Sequence, residues 1–423
     1  MLCKLLILAC CFGSPAGAQS VTLRELLGRA EQPNRDLLAV RQRLEEAKGV
    51  LRQAGVAPAT TLQAGGVSGR PVGTVGEEQF SAGFSKTFET GGKRDRRIEV
   101  AERQSEIATA EYEERLRQLR YDLRTRFVEL VSSTRRLEVL DAQLSNLQSA
   151  LELTRARVAQ GDAAILESDL LSVEIGRIEV QRAELAGSAE AVQVELTRTA
   201  GLSTDEAVFI SPTYSIVTRP YTAPDLISRA LEDRADLRIA RIREKQGDAE
   251  QRLAQAESHA NVSVTGGYAF VKSRFDDQFG TTRTGAIVPL RDRDDVLSVS
   301  ISIPLFSRSR NQGNIEASVA RTRGSQYQRE ALERAIPLEV SAALRRLQSR
   351  EQALTTLSGP VLDQASKNVE VIRQAYQLGQ LRLLDVLNEQ RRLLDLQLAK
   401  VDAEVEVLRS LTELEKAVGG ELQ

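Results

Sequence analysis

The sequence predicts a mainly α protein built on one plan used twice, with a small β part of four strands that suits a membrane. Three observations carry this. The chain repeats itself: Leu26-Leu27-Gly28-Arg29-Ala30 returns as Leu226-Ile227-Ser228-Arg229-Ala230, Asp36-Leu37 as Asp236-Leu237, and Gly65-Gly66 as Gly266-Gly267. The offset then grows, with Ile98-Glu99 matching Ile315-Glu316, Gly161 matching Gly379, Leu166 matching Leu384, Leu196 matching Leu414 and Gly201 matching Gly419. A unit of about 200 residues far exceeds the roughly 20 to 50 of a solenoid period, so this is a duplicated architecture. Second, Arg, Glu, Leu, Ala and Gln dominate while aromatic residues make up 4% and Trp is absent, the composition of long helices. Third, short segments alternate apolar and polar residues with period two, the signature of strands.

The N-terminus reads as an export signal, residues 1–18. Lys4 gives a positive start, Leu5 to Phe12 an apolar stretch, and Ala16-Gly17-Ala18 a small-residue cleavage site, so the mature chain starts at Gln19. Its removal takes Cys3, Cys10, Cys11 and Met1, leaving no cysteine or methionine and hence no disulfide. Lipid attachment at Cys10 after Ile7-Leu8-Ala9 is the rival reading, and it leaves an unusually short apolar core. No later stretch resembles a membrane helix. A formal net charge of -2 shows no nucleic-acid footprint.

Residues 22 to 57 read as one helix, with Pro33 near its first turns and Pro58 ending it. Residues 60–68 are extended, Gly69-Arg70-Pro71-Val72-Gly73 turns the chain, and 79–88 form a strand. Phe80, Ala82, Phe84 and Phe88 share one face of that strand, with Lys86 the exception, and Ser81, Gly83, Ser85 and Thr87 share the other. Gly91-Gly92 then opens a helix from about Arg94 to Gln160, about 100 Å long at 1.5 Å per residue. Its Leu137, Leu140, Leu144, Leu147, Leu151 and Val158 recur in the threes and fours of a coiled-coil seam. Gly161-Asp162 makes a turn, and a helix from about Ile165 to Ala200 returns.

The second repeat reads as a helix from about Pro224 to Ser258, a strand over 261–271, a polar loop, a strand over 296–305, a long helix over 311–378, a turn at Gly379 and a helix over 381–418. Val262, Val264, Tyr268 and Phe270 lie on one strand face; Leu297, Val299, Ile301, Ile303 and Leu305 alternate with Ser298, Ser300 and Ser302. The loop over 272–295 holds Lys272, Arg274, Asp276, Asp277 and the run Arg291-Asp292-Arg293-Asp294-Asp295. In the last helix Leu384, Leu387, Leu394, Leu398, Val401, Val405 and Leu408 keep the heptad step, while Pro337 and Gly359-Pro360 interrupt the helix before it. The divisions are therefore a first repeat over 19–203, a linker over 204–222 and a second repeat over 223–423.

Connectivity places both strand pairs at one end of the helices. Their apolar face needs a cover, and the neighbouring helices spend their apolar positions on seams. Membrane barrel strands of about 10 residues with alternating faces fit this pattern; two soluble hairpins packed on helices fit it as well. On the barrel reading Phe80, Phe84, Phe88, Val262, Val264, Leu297, Val299, Ile301 and Ile303 face lipid. Four strands cannot close a barrel, so that reading requires an oligomer.

These features resemble the TolC family of outer-membrane efflux channels over nearly the whole mature chain. The resemblance is carried by Phe84-Ser85-Lys86-Thr87-Phe88-Glu89-Thr90-Gly91-Gly92-Lys93-Arg94 and its counterpart Ile303-Pro304-Leu305-Phe306, by the turns Gln160-Gly161 and Tyr376-Gln377-Leu378-Gly379, and by Leu384-Asp385-Val386-Leu387. The Gly-Gly-Lys-Arg form is similar to the CzcC branch, which serves heavy-metal and cation efflux pumps.

The resemblance implies a TolC-like fold: a homotrimer with one twelve-stranded barrel in outer-membrane lipid and a helical tunnel through the periplasm. Residues 201–222, with Pro212, Tyr214 and Pro220, would form a belt with the C-terminus. The turns, Gln160, Gly161, Asp162 and Leu378, Gly379, Gln380, Leu381, would dock a periplasmic adaptor that joins an inner-membrane pump, with Leu378, Leu381 and Leu383 exposed for contact; a plain helix turn is the other reading. Asp385 would form a threefold carboxylate ring at the pore aperture, with Asn388 where the family often has a second acid. Asp385 also reads as an ordinary solvated helix residue. Tyr376 matches a position that holds the tip closed and also reads as seam packing. Glu167 takes the Asp385 slot in the first repeat.

No catalytic constellation, cofactor or metal site is implied. The sole histidine, His259, sits at a helix-to-strand junction and reads as a surface residue. Soft-metal ligands are lost with the signal, which leaves cargo selection to the pump or adaptor. The expected function is passive exit through an outer-membrane channel of a tripartite, RND-type efflux system, with heavy-metal cations as the cargo. Drug efflux and type I protein secretion are the alternatives within the family. A periplasmic adaptor or a poreless coiled-coil scaffold is the alternative outside it, and the duplication argues against an adaptor.

Overall fold

The computed structural model describes residues 20–32, 34–72, 77–202, 209–210, 220–305, 309 and 311–422. The export segment with its cysteines, Pro33, Gly73, Pro212, Tyr214 and Phe306 lie outside the described residues. In chain order the elements are β1 (Ser20–Val21), α1 (Leu23–Ala30), α2 (Arg35–Ala54), β2 (Thr61–Ser68), β3 (Glu78–Phe88), α3 (Lys93–Gln160), α4 (Ile165–Ala200), β4 (Phe209–Ile210), α5 (Ala223–Asp233), α6 (Ala235–Glu257), β5 (Val262–Thr281), β6 (Ile287–Ser302), α7 (Gln312–Thr356), a π-helical turn (Leu357–Val361), α8 (Leu362–Gln377) and α9 (Leu383–Val418). No described helix is long and apolar enough to cross a membrane.

The chain forms two compact units, and each draws on both repeats. One comprises Met1–Arg41, Tyr112–Ala235 and Arg334–Gln423; the other comprises Gln42–Glu111 and Asp236–Glu333.

The first unit is held by helix seams. Leu26, Ala30 and Leu37 pack with Leu119, Leu123, Leu130, Leu196 and Ala200. A second cluster joins Leu140, Leu144 and Leu147 of α3 to Leu171, Ile175 and Ile178 of α4 and to Leu383, Leu387 and Leu394 of α9. The seam of α9 begins one residue earlier than the heptad step predicts: Leu383 is 7% exposed and Leu384 is 49% exposed. Val401, Val405 and Leu408 continue it against Val128.

The first helix of each repeat is two helices and not one. Thr22 caps α1, accepting from Glu25 N at 3.4 Å while its own N–H donates to the Glu25 carboxylate at 2.9 Å. Asn34, nearly buried, restarts the chain by accepting from Leu37 N at 3.0 Å and donating to Thr199 O at 3.0 Å. In the second repeat Arg234 adopts an extended conformation (φ -65, ψ 119) between α5 and α6. Of the two interruptions expected in the long helix of the second repeat, the one at Pro337 is absent and the one at Gly359-Pro360 is present. The helix continues through Pro337, where its fully buried neighbours Ile336 and Val340 hold it in place. The irregularity falls at Gly359 (φ -104, ψ -105) within the π turn.

One buried charge ties α4 to α9. Glu174 is 2% exposed and takes a guanidinium on each oxygen. Arg177 donates to Oε1 at 2.7 and 3.1 Å, and Arg391 donates to Oε2 at 2.6 and 3.0 Å. Burial pushes the carboxyl upward, but the hydrogen bonds and charges of Arg177 and Arg391 outweigh it and hold it below its ordinary value.

In the second unit the strands enter the helices through a tight junction. Gly91 and Gly92 have φ +70 and +71. A Cβ on Gly91 would lie 2.8 Å from the His259 ring, whereas one on Gly92 would meet nothing within 4 Å. The buried Lys93 donates through Nζ to His259 O at 2.6 Å and to Asn261 Oδ1 at 2.5 Å. The Gly-Gly-Lys motif and the lone histidine thus build the joint between strand and helix.

Two predictions follow from these geometries. Gly92→Ala should carry only the left-handed backbone cost of about 1–2 kcal/mol. Gly91→Ala should lower the melting temperature of the purified protein further, and equal losses would contradict the packing of His259. The second concerns acid. A depressed carboxylate contributes stability above its unfolded value of about 4.3 and loses it as pH falls through the lower folded value. Glu174→Gln should cost about 1–3 kcal/mol at neutral pH, less than a fully buried pair because both arginines are partly exposed. Melting curves from pH 7 to 3 should show this share of the loss on acidification in the wild type and not in the variant.

Candidate functional site

The sheet is built from β2, β3, β5 and β6 in that order, with every neighbouring pair antiparallel. Its register aligns the apolar positions across the strands. Ala64, Ala82, Tyr268 and Leu297 form one rung; Leu62, Phe84, Gly266 and Val299 form the next; Lys86, Val264 and Ile301 follow, then Phe88 and Val262. Phe80 pairs with Phe270 at the other end. Leu297 is 82% and Val299 74% exposed, so the apolar face is open. Val262 and Val264, on an inner strand, are half-buried by their neighbours.

The opposite face is hydroxyl-rich. Thr87 and Ser263 share a hydrogen bond of 3.0 Å, Thr265 donates to Ser85 at 3.0 Å, and Ser298 donates to Gly267 O at 3.2 Å. β2 and β6 are edge strands, each paired on one side within the chain.

Two expectations about these strands need correction. The strand expected over 296–305 ends at Ser302, because Pro304 has no N–H for a ladder; Ile303 lies just past it, exposed. The segment over 272–295 is not a loop. β5 and β6 continue through it to a turn closed by Thr282 N to Ala286 O at 2.9 Å, with a register shift between Phe275 and Phe279.

The helix turns lie in the first unit and share one geometry. At the end of α3, Gly161 (φ +83) donates to Val158 O at 3.0 Å and Asp162 N donates to Arg157 O at 2.9 Å. At the end of α8, Gly379 (φ +74) donates to Tyr376 O at 2.9 Å and Gln380 N donates to Ala375 O at 2.9 Å. Both are Schellman closures, which need a left-handed residue at this point. Gln160, Gly161, Asp162, Leu378, Gly379, Gln380 and Leu381 are all exposed, with Leu378 at 74%. Leu383, expected beside them on the surface, is buried in the seam instead.

The two turns are bridged. The Tyr376 hydroxyl donates to Glu167 Oε2 at 2.5 Å, and Arg157 Nη1 donates to the Tyr376 hydroxyl at 3.4 Å, with its guanidinium 5.7 Å from the ring centre. Partial burial and the Glu167 carboxylate raise the phenol above its ordinary value, so it remains a donor. Tyr376 also packs on the α3–α4–α9 cluster, which makes it a seam residue and a polar bridge together. Asp385 is exposed and accepts from Arg382 N at 3.1 Å, capping α9. Asn388 is exposed one turn along. Glu167 and Asp385 thus occupy matching slots with different partners.

Sequence reasoning missed Arg157. It also missed the Glu174 clamp, whose members Glu174 and Arg391 are 217 positions apart. Among the described residues no cluster of His, Cys, Asp and Glu is arranged to hold a metal ion.

Residues 26–202 and 226–420 match the sequence profile of the family described as outer membrane efflux protein. The cobalt-zinc-cadmium resistance protein CzcC of Cupriavidus metallidurans is 22% identical over 413 residues, spanning 95% of this chain and 91% of that protein. The pyoverdine export outer membrane protein OpmQ of Pseudomonas aeruginosa is 24% identical over 434 residues, 97% of this chain and 86% of that protein. The crystal structure of the outer membrane protein VceC from Vibrio cholerae superposes with a TM-score of 0.74 at 21% identity, covering 95% of this chain and 97% of that one. Both repeats fall inside the matched ranges, and the open apolar sheet face and paired helix turns belong to the same fold: the chain is a member of the outer membrane efflux protein family, an outer-membrane channel of the TolC-like kind.

Proposed function

We propose that three copies of this chain form the exit duct of a tripartite efflux assembly whose cargo is heavy-metal cations. The sheet carries the reading. Its apolar face has no cover and its two edges are open, a state that three copies resolve by pairing β6 of one chain with β2 of the next into a closed barrel in lipid. The exposed turns, with Leu378 and Leu381 at the second, suit apolar docking of a helical hairpin from a periplasmic adaptor, which in turn engages the inner-membrane pump. Conduction is passive, and no bond is made or broken along the way.

Gating falls to the tip. Tyr376, Glu167 and Arg157 lock the two turns of one chain together, and Asp385 repeated by threefold symmetry supplies a carboxylate ring at the aperture. Asn388 adds no charge, so the ring binds cations weakly enough to release them. The cation cargo is supported by the likeness to CzcC. The likeness to OpmQ favours a second reading, export of an organic siderophore through the same duct.

Planar-bilayer recording of the detergent-purified protein tests the channel itself: absence of pores from a folded trimer would refute it. Tyr376→Phe should raise the mean conductance or open probability several-fold by removing the bridge to Glu167. Asp385→Asn should shift the reversal potential in a salt gradient toward lower cation preference; an unchanged potential would remove Asp385 from the aperture. A deletion strain that gains sensitivity to cobalt, zinc or cadmium supports the metal cargo, whereas one that only retains a secreted siderophore supports the second reading.

A further inference from the structure

The charged run at the start of β6 is sorted by the strand period. Arg291 and Arg293 stand on the apolar face with Leu297, while Asp292 and Asp294 stand on the hydroxyl face. Moving along the apolar face away from the helices, the β5–β6 rungs are Tyr268–Leu297, Phe270–Asp295, Lys272–Arg293 and Arg274–Arg291. The Lys272–Arg293 rung sets like charges directly opposite each other, an arrangement that destabilises a strand pair unless an anion lies between or above them.

Glu78 and Asp295 lie beside the Lys272–Arg293 rung. Glu78 contacts Arg70 at 2.7 Å and Lys272 at 3.6 Å, and Asp295 contacts Arg293 at 3.5 Å. The Phe270 ring holds Lys272 Nζ at 5.4 Å and the Arg293 guanidinium at 4.6 Å from its centre. It thereby fixes both cations at the level where the apolar band ends. Lys272 and Arg293 keep half or more of their side-chain surface open.

We propose that this cluster binds the phosphate groups of a phosphorylated glycolipid in the outer leaflet, with the acyl chains lying along Tyr268 and Leu297. The guanidinium groups of Arg291 and Arg293 and the ammonium of Lys272 match phosphate oxygens in charge and geometry. The continuous apolar rungs below commit the site to a lipid and not to free phosphate, since an ion has no use for them. The inference rests on the outer-membrane placement of the sheet, which puts the end of β5 and β6 remote from the helices at the outer surface.

The test measures melting of the detergent-purified wild-type trimer with diphosphorylated lipid A, with the same lipid stripped of both phosphates, and with inorganic phosphate. The diphosphorylated lipid should raise the melting temperature and the other two should not. In vesicles containing diphosphorylated lipid A, the variant Lys272→Gln/Arg291→Gln/Arg293→Gln should bind the lipid at least about tenfold more weakly. If that variant fails to assemble, Lys272→Gln/Arg293→Gln replaces it, with Asp292→Asn/Asp294→Asn on the opposite face as the control that leaves binding unchanged. Equal stabilisation by both lipids, or by inorganic phosphate, overturns the proposal, as does binding that survives loss of the cations. A trimer that forms pores yet ignores the phosphates refutes this site alone; a protein that forms no pores refutes the duct reading as well.

Discussion

Everything in this molecule answers to a sheet that cannot stand alone. Its four strands align their apolar side chains on one exposed face that no described residue covers, and β2 and β6 each leave a row of backbone groups open. In water the face favours association, and exposed apolar area costs about 25 cal/mol per Å². In lipid the face is satisfied but the edges are not, because hydrocarbon offers no hydrogen bond. Only lipid on the face together with further strands on both edges meets both demands. The joint at Gly91, Lys93 and His259 then has a clear purpose: a strand set by barrel geometry must pass within a few residues into a helix set by seam packing. The left-handed glycines make the bend, and Lys93 pins it to the neighbouring chain segment.

The duplication supplies matched parts, and the departures from it supply the specialised ones. Both helix turns close by the same pair of backbone hydrogen bonds around a left-handed glycine. Beyond each turn the same slot carries an acid, yet the two acids do different things. Asp385 caps its own helix, while Glu167 reaches Tyr376 on the other hairpin. Val158 fills the slot of Tyr376 in the first repeat. The Tyr376–Glu167 bond therefore has no counterpart built from the equivalent slots, Val158 and Asp385.

Much of the fold was legible because period two and period 3.5 are strong signals wherever the two faces differ in polarity. β3 and the lower part of β6 announced themselves this way. The outer half of the β5–β6 hairpin did not, because the run from Arg291 to Asp295 looks like a solvated loop. Its alternation of Arg and Asp was a strand signal written in charge sign rather than in hydropathy, and polarity was given more weight than period. The helix breaks at Asn34 and Arg234 were hidden for a different reason. They depend on partners distant in sequence, such as the Thr199 carbonyl for Asn34. The exchange of Leu384 for Leu383 in the seam came from counting heptads back through the turn, where the helix has not yet begun. The bridge from Arg157 and Glu167 to Tyr376 spans more than 200 positions and leaves no local trace.

The buried acid of the first unit bears on conduction through what it does not offer. Glu174 is a buried carboxylate, and each of its oxygens is already occupied by a guanidinium. Its ionised form is held by those partners, so displacing them would leave two positive groups facing a seam. On the proposed cation reading this matters, because a free buried carboxylate would trap a divalent ion, and throughput depends on sites weak enough to leave. The same logic separates Glu167, engaged by Tyr376, from Asp385, whose bond is to one backbone N–H on an exposed turn. Of the exposed acids at the two turns, Asp162 and Asp385, Asp385 is the one beside Asn388. On the proposed duct reading, Asp385 is the acid whose position its own helix cap fixes, which suits it to a ring at the aperture.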